Sequence, residues 1–300
     1  MSPRKVALLI NPTSGQGKGG KHAPVAARRL RERGLEVIEL TGTSAQDAQT
    51  MAQDAIASGV DALVACGGDG TVHLAVQAVA GTDTPLGIIP VGTGDDNARG
   101  LGVPLKDVQA AADVIADGNT RTVDLGHVST ADGTSRYFLG VMSAGFDSEV
   151  NERANEMTWP SGQLRYLVAI VAELRVFKAL PYTMTVDNEV IKDEGMLVAV
   201  GNGVSYGGGM KVCPDASLDD GMLDATFLAK VSKFTFLRVF PSVFKGTHVN
   251  HPFVTQYRGK DFTLDGPNQI AYADGERVGP LPAHATVKPA SMQVFTPVQS

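Results

Sequence analysis

The chain has 300 residues, enough for two domains of ordinary size or one large one. With 43% hydrophobic and 19% charged residues it has the composition of a soluble globular protein, and no run approaches the roughly 18 apolar residues that a membrane span needs. The formal charge of −6 argues against a nucleic-acid binder, which carries a basic stripe, and the opening Met1-Ser2-Pro3-Arg4-Lys5-Val6 lacks the apolar core of a secretory signal. A cytoplasmic location is the expectation. Two cysteines, Cys66 and Cys213, make a disulfide framework improbable and are expected as small buried hydrophobes.

Strand-like and helical patterns alternate over residues 1–122. Strands are expected at 6–11, 35–40, 62–66 and 86–91, and helices up to 33, at 44–58, at 72–79 and at 105–117, with Gly34, Gly59, Gly81 and Gly118 as stops. Such alternation implies parallel pairing in an open α/β sheet, with ligands at the carboxyl ends of the strands. After Thr122 the pattern turns to antiparallel strands with hairpin signals at Asp132-Gly133 and Asp187-Asn188, interrupted by helical patterns at 162–178 and 232–245. The second helical pattern carries Phe234, Phe236, Leu237, Phe240 and Phe244 among Lys233, Arg238 and Lys245; such a stripe is core-facing or touches a membrane surface, and the core-facing reading is preferred. The expected organisation is a nucleotide-binding α/β domain over 1–122, a β-rich acceptor domain over 123–288, and a tail over 289–300 that packs back on the first domain.

Three glycine-rich segments fall at strand ends. Gly67-Gly68-Asp69-Gly70-Thr71 follows a strand and opens a helix, the order of a phosphate site: glycines let the backbone approach a ligand and the helix N–H groups face an anion. Asp69 would repel a bare phosphate but suits Mg²⁺ standing between the two. Asn11-Pro12-Thr13-Ser14-Gly15-Gln16-Gly17-Lys18-Gly19-Gly20-Lys21 partly fits a dinucleotide fingerprint, with Glu39 as the ribose acid, and partly a P-loop in which His22 replaces the hydroxyl residue. Either way, backbone N–H groups near Lys18 or Lys21 suit phosphate oxygens. Gly92-Thr93-Gly94-Asp95-Asp96-Asn97-Ala98-Arg99 adds Thr93 as a donor and Asp96 as metal support. His248 and His251 lack companion ligands and are expected at the surface; Trp159 is expected in packing or at an interface.

Together these segments resemble the soluble bacterial diacylglycerol kinases and their relatives among sphingosine and ceramide kinases. The resemblance extends to Pro214-Asp215-Ala216-Ser217-Leu218-Asp219-Asp220-Gly221-Met222-Leu223-Asp224, similar to that family's acidic metal loop, and to Ala273-Asp274-Gly275-Glu276, similar to its terminal Asp-Gly-Glu. It implies a Rossmann-like domain followed by an antiparallel β-sandwich, a nucleotide site between them, and transfer of the γ-phosphoryl of ATP to a lipid hydroxyl, diacylglycerol first among acceptors. By the same resemblance Asn11, Ser14, Gly15, Thr41, Gly67, Gly68, Asp69, Gly70, Thr71 and Thr93 would hold the nucleotide. Asp69 would place the catalytic Mg²⁺, Glu276 would be the general base, and Asp274 would support metal or substrate. A second Mg²⁺ would lie on the Asp220 carboxylate and the main-chain carbonyls of Ser217 and Met222. Partners would be a lipid at the inner membrane face, contacted peripherally and transiently, and a second copy in a possible homodimer.

Two positions depart from the family pattern. Asp95 stands for an amide and Asn97 for an aromatic, which points to an altered acceptor preference. Rival readings are a kinase of a polar acceptor such as NAD, a nucleotide-binding regulatory module without turnover, and an NAD(P)-dependent oxidoreductase. The third glycine segment and the terminal Asp-Gly-Glu favour the lipid kinase.

Overall fold

The computed structural model describes residues 4–157, 159–160 and 163–298, and only the backbone of residues 16, 18, 155, 163, 164, 166 and 167. Residue contacts divide the chain into two compact units, Met1–Leu125 with Pro289–Ser300, and Gly126–Lys288.

The first unit runs β1 (Lys5–Ile10), α1 (Ser14–Glu32), β2 (Glu36–Leu40), α2 (Ala45–Ala57), β3 (Ala62–Gly67), α3 (Asp69–Val79), β4 (Leu86–Pro90), α4 (Asp96–Gly100), α5 (Val108–Asp117) and the first half of β5 (Thr120–Thr130). Strands β4, β3, β1 and β2 lie side by side and parallel. Every residue of β3 is buried, as expected of a strand covered on both faces by helices. Ser44 caps α2 by accepting from the Asp47 N–H, and Asp107 caps α5 by accepting from Gln109 and Ala110. Arg29 of α1 and Arg33, which caps its end, both reach Asp113 of α5, at 2.8 and 2.6 Å. The last strand of the chain returns to this sheet, with Val294 parallel to Leu86.

The second unit continues with β6 (Ser135–Phe138), β7 (Val141–Gly145), α6 (Phe146–Glu156), α7 (Gln163–Val176), β8 (Leu180–Val186), β9 (Glu189–Gly201), β10 (Leu223–Ala229), α8 (Lys233–Val239), β11 (Val254–Gly259), β12 (Asp261–Asp265), β13 (Ile270–Ala273), β14 (Glu276–Pro280) and β15 (Ala283–Phe295). Its strands pair antiparallel in the order β14, β13, β7, β9, β8, β12, β15, and β10 and β11 branch from β9. The hairpins at Asp132-Gly133 and Asp187-Asn188 form as expected, β6 on β5 and β9 on β8. Phe138, Tyr182, Val198, Leu223 and Phe262 fill the core, while Phe146, Val150, Ala154, Ala169, Leu174 and Phe236 gather the three helices.

Several expectations change. The segment 14–20 is the start of α1 rather than a loop, with Gly15 and Gly17 at φ 58° and 85° inside its first turns. Helix α6 was not expected; its apolar stripe, Phe146, Val150 and Ala154, repeats every fourth residue among Asp147, Glu149, Asn151, Glu152 and Arg153. The helical pattern at 162–178 appears as α7, with residue 162 outside the described residues. The pattern at 232–245 is α-helical only to Val239. A 3₁₀ turn over Phe240–Lys245 follows because Pro241 can neither donate an N–H nor fit beneath the preceding turn. His248 is buried, its Nε2 3.2 Å from the Val212 carbonyl, not exposed at the surface. Trp159 is 81% exposed and does not pack into the core.

Candidate active site

In the first unit the three glycine segments meet at the carboxyl ends of β1, β3 and β4. Ser14 is the junction: its Oγ accepts the Gly68 N–H at 3.3 Å and lies 3.4 Å from the Thr71 hydroxyl. Asn11 shapes the approach, its Oδ1 accepting the Thr13 N–H at 3.1 Å and hydroxyl at 2.8 Å. Gly67 accepts the Val91 N–H at 3.0 Å. Gly68 and Gly92 then pass so closely that a Cβ on Gly92 would lie 2.6 Å from the Gly68 Cα. Only glycine allows that approach, and this is the physical reason for the two residues.

Helix α3 begins at Asp69, so its first-turn N–H groups face the same region, where the helix end favours an anion. Asp69 is half-buried, and its Oδ1 accepts the Asn97 N–H at 3.3 Å. Asp95 adopts φ 52° and closes its own turn by accepting the Gly92 N–H at 3.0 Å. Part of its charge is therefore spent within the loop. Asp96 is buried and paired with Arg99 at 2.6 Å, and Asn97 is buried as well, so neither side chain lies open to solvent in this unit. Thr93 is exposed in the third segment, Thr41 is exposed just after β2, and no bond joins Thr41 to the others among the described residues. The Lys18 side chain lies outside the described residues. Cys66 is buried behind the glycine turn, and burial pushes its thiol up to about 12, which leaves it inert.

In the second unit Glu276 is exposed and begins β14 directly after a two-residue turn. Asp274 and Gly275 hold that turn at φ 52° and 83°, the positive pair that a tight hairpin needs. The Asp274 carboxylate does more than turn the chain. It accepts three backbone N–H groups, from Leu139 at 2.9 Å, Gly140 at 2.8 Å and Val141 at 3.2 Å. Asn202, which sequence inspection missed inside Gly201-Asn202-Gly203, holds the same turn by donating to the Leu139 carbonyl at 3.0 Å.

The acidic loop is tied to β11. Gln256 donates to Asp215 at 3.0 Å, and Arg258 meets Asp220 Oδ2 at 2.6 Å while Asp220 Oδ1 accepts the Met222 N–H at 3.0 Å. Ser217 turns its hydroxyl to Asp219 at 2.9 Å. Asp224 is buried and its Oδ2 has no hydrogen-bond partner among the described residues; burial raises its pKa, and Asp220 and Asp215 raise it further against the pull of Arg258. Among the described residues no three carboxylate, imidazole or thiol groups are already gathered about one point. The donors are hard oxygens of the kind a divalent ion takes, but of these carboxylates only Asp220 meets the Arg258 guanidinium. Such an ion would take Asp220 Oδ2 from Arg258.

A cavity of about 370 Å³ opens elsewhere in this unit, walled by Val176, Phe177, Leu180 and Pro267 with Glu149 and Glu173 at its side. The α8 phenylalanines do not line it. Phe236 packs inward on Phe146 at 4.9 Å, whereas Phe234 and Leu237 are 76% and 52% exposed. The stripe is thus divided between core and surface. No described helix is long and apolar enough to cross a membrane.

Comparison with known proteins agrees with this arrangement. Residues 5–128 match the diacylglycerol kinase catalytic domain, and residues 140–296 match the YegS C-terminal NAD kinase beta sandwich-like domain. A diacylglycerol kinase of Mycobacterium tuberculosis is 45% identical over 98% of this chain and 95% of its own length; that of Bacillus subtilis is 31% identical over 93% and 92%. Two solved structures from Bacillus anthracis cover 99% of the chain, and 97% and 98% of their own, with TM-scores of 0.81 and 0.75 at 26% and 23% identity; the second is of a diacylglycerol kinase. The family model and the curated relatives make the chain a kinase that phosphorylates an alcohol group. The chain belongs to the diacylglycerol kinase family of lipid kinases.

Proposed function

We propose that this kinase uses ATP and Mg²⁺ to phosphorylate diacylglycerol, giving phosphatidate. The observation that carries the nucleotide half is the convergence of Ser14, Gly68, Thr71 and Gly92 beside the N-terminus of α3. Phosphate oxygens would receive the N–H groups of Asp69 and Gly70 and the hydroxyls of Ser14, Thr71 and Thr93, with Asn11, Gly15, Thr41, Gly67 and Gly68 completing the surroundings. Asp69 fits a magnesium ion bound mainly through the nucleotide, since one carboxylate with phosphate oxygens is its usual set. When bound, that ion neutralises charge on the phosphate oxygens.

Glu276 acts as the general base. It takes the proton from the lipid hydroxyl while that oxygen bonds to the γ-phosphorus and the bond to the ADP oxygen breaks. Its exposure directly after a two-residue turn suits an acceptor that arrives from a membrane. Asp274 is read as a positioning residue, because its two oxygens already serve three backbone N–H groups. A second ion on Asp220 with the Ser217 and Met222 carbonyls would be structural.

Helices α7 and α8 supply the membrane contact. Val168, Val171, Phe234 and Leu237 are exposed there among Arg175, Lys233 and Arg238, a combination of apolar and cationic groups suited to an anionic bilayer. Lys233 Nζ donates to the Arg175 carbonyl and binds the two helices into one surface.

Glu276→Gln tests the assignment of the base. Nucleotide affinity is expected within about twofold of the wild type and turnover reduced by about 10²–10⁴-fold. Near-normal turnover would remove Glu276 from that role.

A further inference from the structure

The hairpin that carries Glu276 is gripped from a second direction, by a residue that no motif marks. Glu152 of α6 directs Oε1 at two donors of this hairpin, the Tyr272 hydroxyl at 2.6 Å and Arg277 Nε at 3.1 Å. Those donors are not scattered. Tyr272 and Arg277 are cross-strand partners, immediately beside the Ala273 and Glu276 pair that closes the turn.

Just behind them the pairing slips. Ala271 faces Gly279 while Tyr272 faces Arg277, so β14 carries one extra residue there. An extra residue of this kind twists a strand and changes the direction of the side chains that follow it. Here it lies directly beyond Arg277, so β14 bends and twists next to the residue that Glu152 holds, two positions from Glu276. Successive residues of a strand face opposite sides, so Arg277 is held toward α6 while Glu276 projects from the other face. Glu152 therefore grips the back of the strand that presents the base.

A surface ion pair alone contributes little and seldom matters. This one differs because Tyr272 is 2% exposed, so its hydroxyl is buried and needs an acceptor, and because the same oxygen fixes the irregular pair. We propose that Glu152 is a positioning residue for the phosphoryl transfer, orienting Glu276 through Tyr272 and Arg277. The proposal rests on Glu276 being the general base.

Four variants test it by steady-state turnover and melting temperature: Glu152→Ala, Glu152→Gln, Arg153→Ala, and Glu152→Ala combined with Glu276→Gln. Gln keeps an acceptor oxygen of the same reach, so Glu152→Gln should hold kcat within about threefold, whereas Glu152→Ala should lower it about tenfold with KM for ATP within about twofold. Arg153→Ala removes a neighbouring ion pair of the same helix, Arg153 to Glu173 at 2.7 Å, without touching the hairpin, and should leave kcat unchanged. In the Glu276→Gln background Glu152→Ala should add less than about twofold.

Normal kcat in Glu152→Ala would overturn the proposal, as would an equal loss in Arg153→Ala or a full tenfold loss in the Glu276→Gln background. If Glu276→Gln itself turns over normally, the base assignment fails, and the positioning role fails with it. A slow Glu276→Gln beside a normal Glu152→Ala leaves the base in place and rejects Glu152 alone.

Discussion

Replacing Asp274 examines the hairpin most severely, because one carboxylate serves three backbone N–H groups and sits at φ 52°. Alanine would leave the Leu139, Gly140 and Val141 N–H groups without that acceptor, and Leu139 and Val141 are buried at 1% and 2% exposure. At roughly 1 kcal/mol for each lost bond, the low end because Asp274 is half-buried, the loss is about 3 kcal/mol. Forcing alanine into the left-handed region adds roughly 1 kcal/mol, for about 4 kcal/mol in all. Asparagine keeps one acceptor oxygen and tolerates the left-handed conformation, so about half that loss is expected. For a unit of this size about 1 kcal/mol moves the melting temperature by roughly 2–4 °C. Asp274→Ala should therefore melt about 8–16 °C lower, with Asp274→Asn between it and the wild type, read by differential scanning calorimetry. Turnover well below the transition should also fall, because Glu276 stands two residues on. An Asp274→Ala melting temperature within about 2 °C of the wild type would refute the clamp, and equal effects of Ala and Asn would refute the hydrogen-bond count.

Gly92→Ala would place a Cβ 2.6 Å from the Gly68 Cα and push two cradle segments apart, so nucleotide affinity by calorimetric titration should fall at least about tenfold, with a lower melting temperature as well because such overpacking costs roughly 1–3 kcal/mol. Asp147, fully buried at the start of α6, has its pKa pushed up to about 6 by burial, against weaker help from Ser143 and Tyr206. The folded state then holds a proton that the unfolded chain releases near pH 4, so this group's contribution falls as pH rises from about 4 to about 6. Asp147→Asn should raise stability at pH 7.5, by up to about 3 kcal/mol, and give no gain at pH 4; an equal effect at both values would contradict the charge argument. Asp220→Ala should lower the melting temperature more in Mg²⁺ buffer than in chelator if an ion shares that carboxylate with Arg258, and equal shifts would leave Arg258 as its cation. Phe234→Glu with Leu237→Glu should reduce sedimentation with anionic vesicles several-fold while sparing nucleotide affinity; unchanged sedimentation would place the membrane contact elsewhere.

The parallel sheet was legible because the buried strands β1, β3 and β4 of the first unit are short apolar runs between helical patterns, and β3 is the plainest case. The three glycine segments could be found because close backbone approach excludes every other residue, as Gly68 and Gly92 show. What stayed hidden depends on partners far along the chain. Helix α6 was masked by its acidic and amide residues, although Phe146, Val150 and Ala154 mark one face. The clamp by Asp274 joins residues more than 130 positions apart, and Glu152 reaches Tyr272 across 120; no local pattern announces either. The phenylalanine stripe misled in a different way, since Pro241 divides it and one face packs while the other is exposed.

Phosphate transfer from γ-labelled ATP and Mg²⁺ into organic-extractable product, in mixed micelles of diacylglycerol with sphingoid base, ceramide and NAD run in parallel, tests the central claim most directly. Labelled phosphatidate, lost in Glu276→Gln, is the expected result. Label in the NAD reaction alone, or transfer to diacylglycerol that persists in Glu276→Gln, would contradict the account.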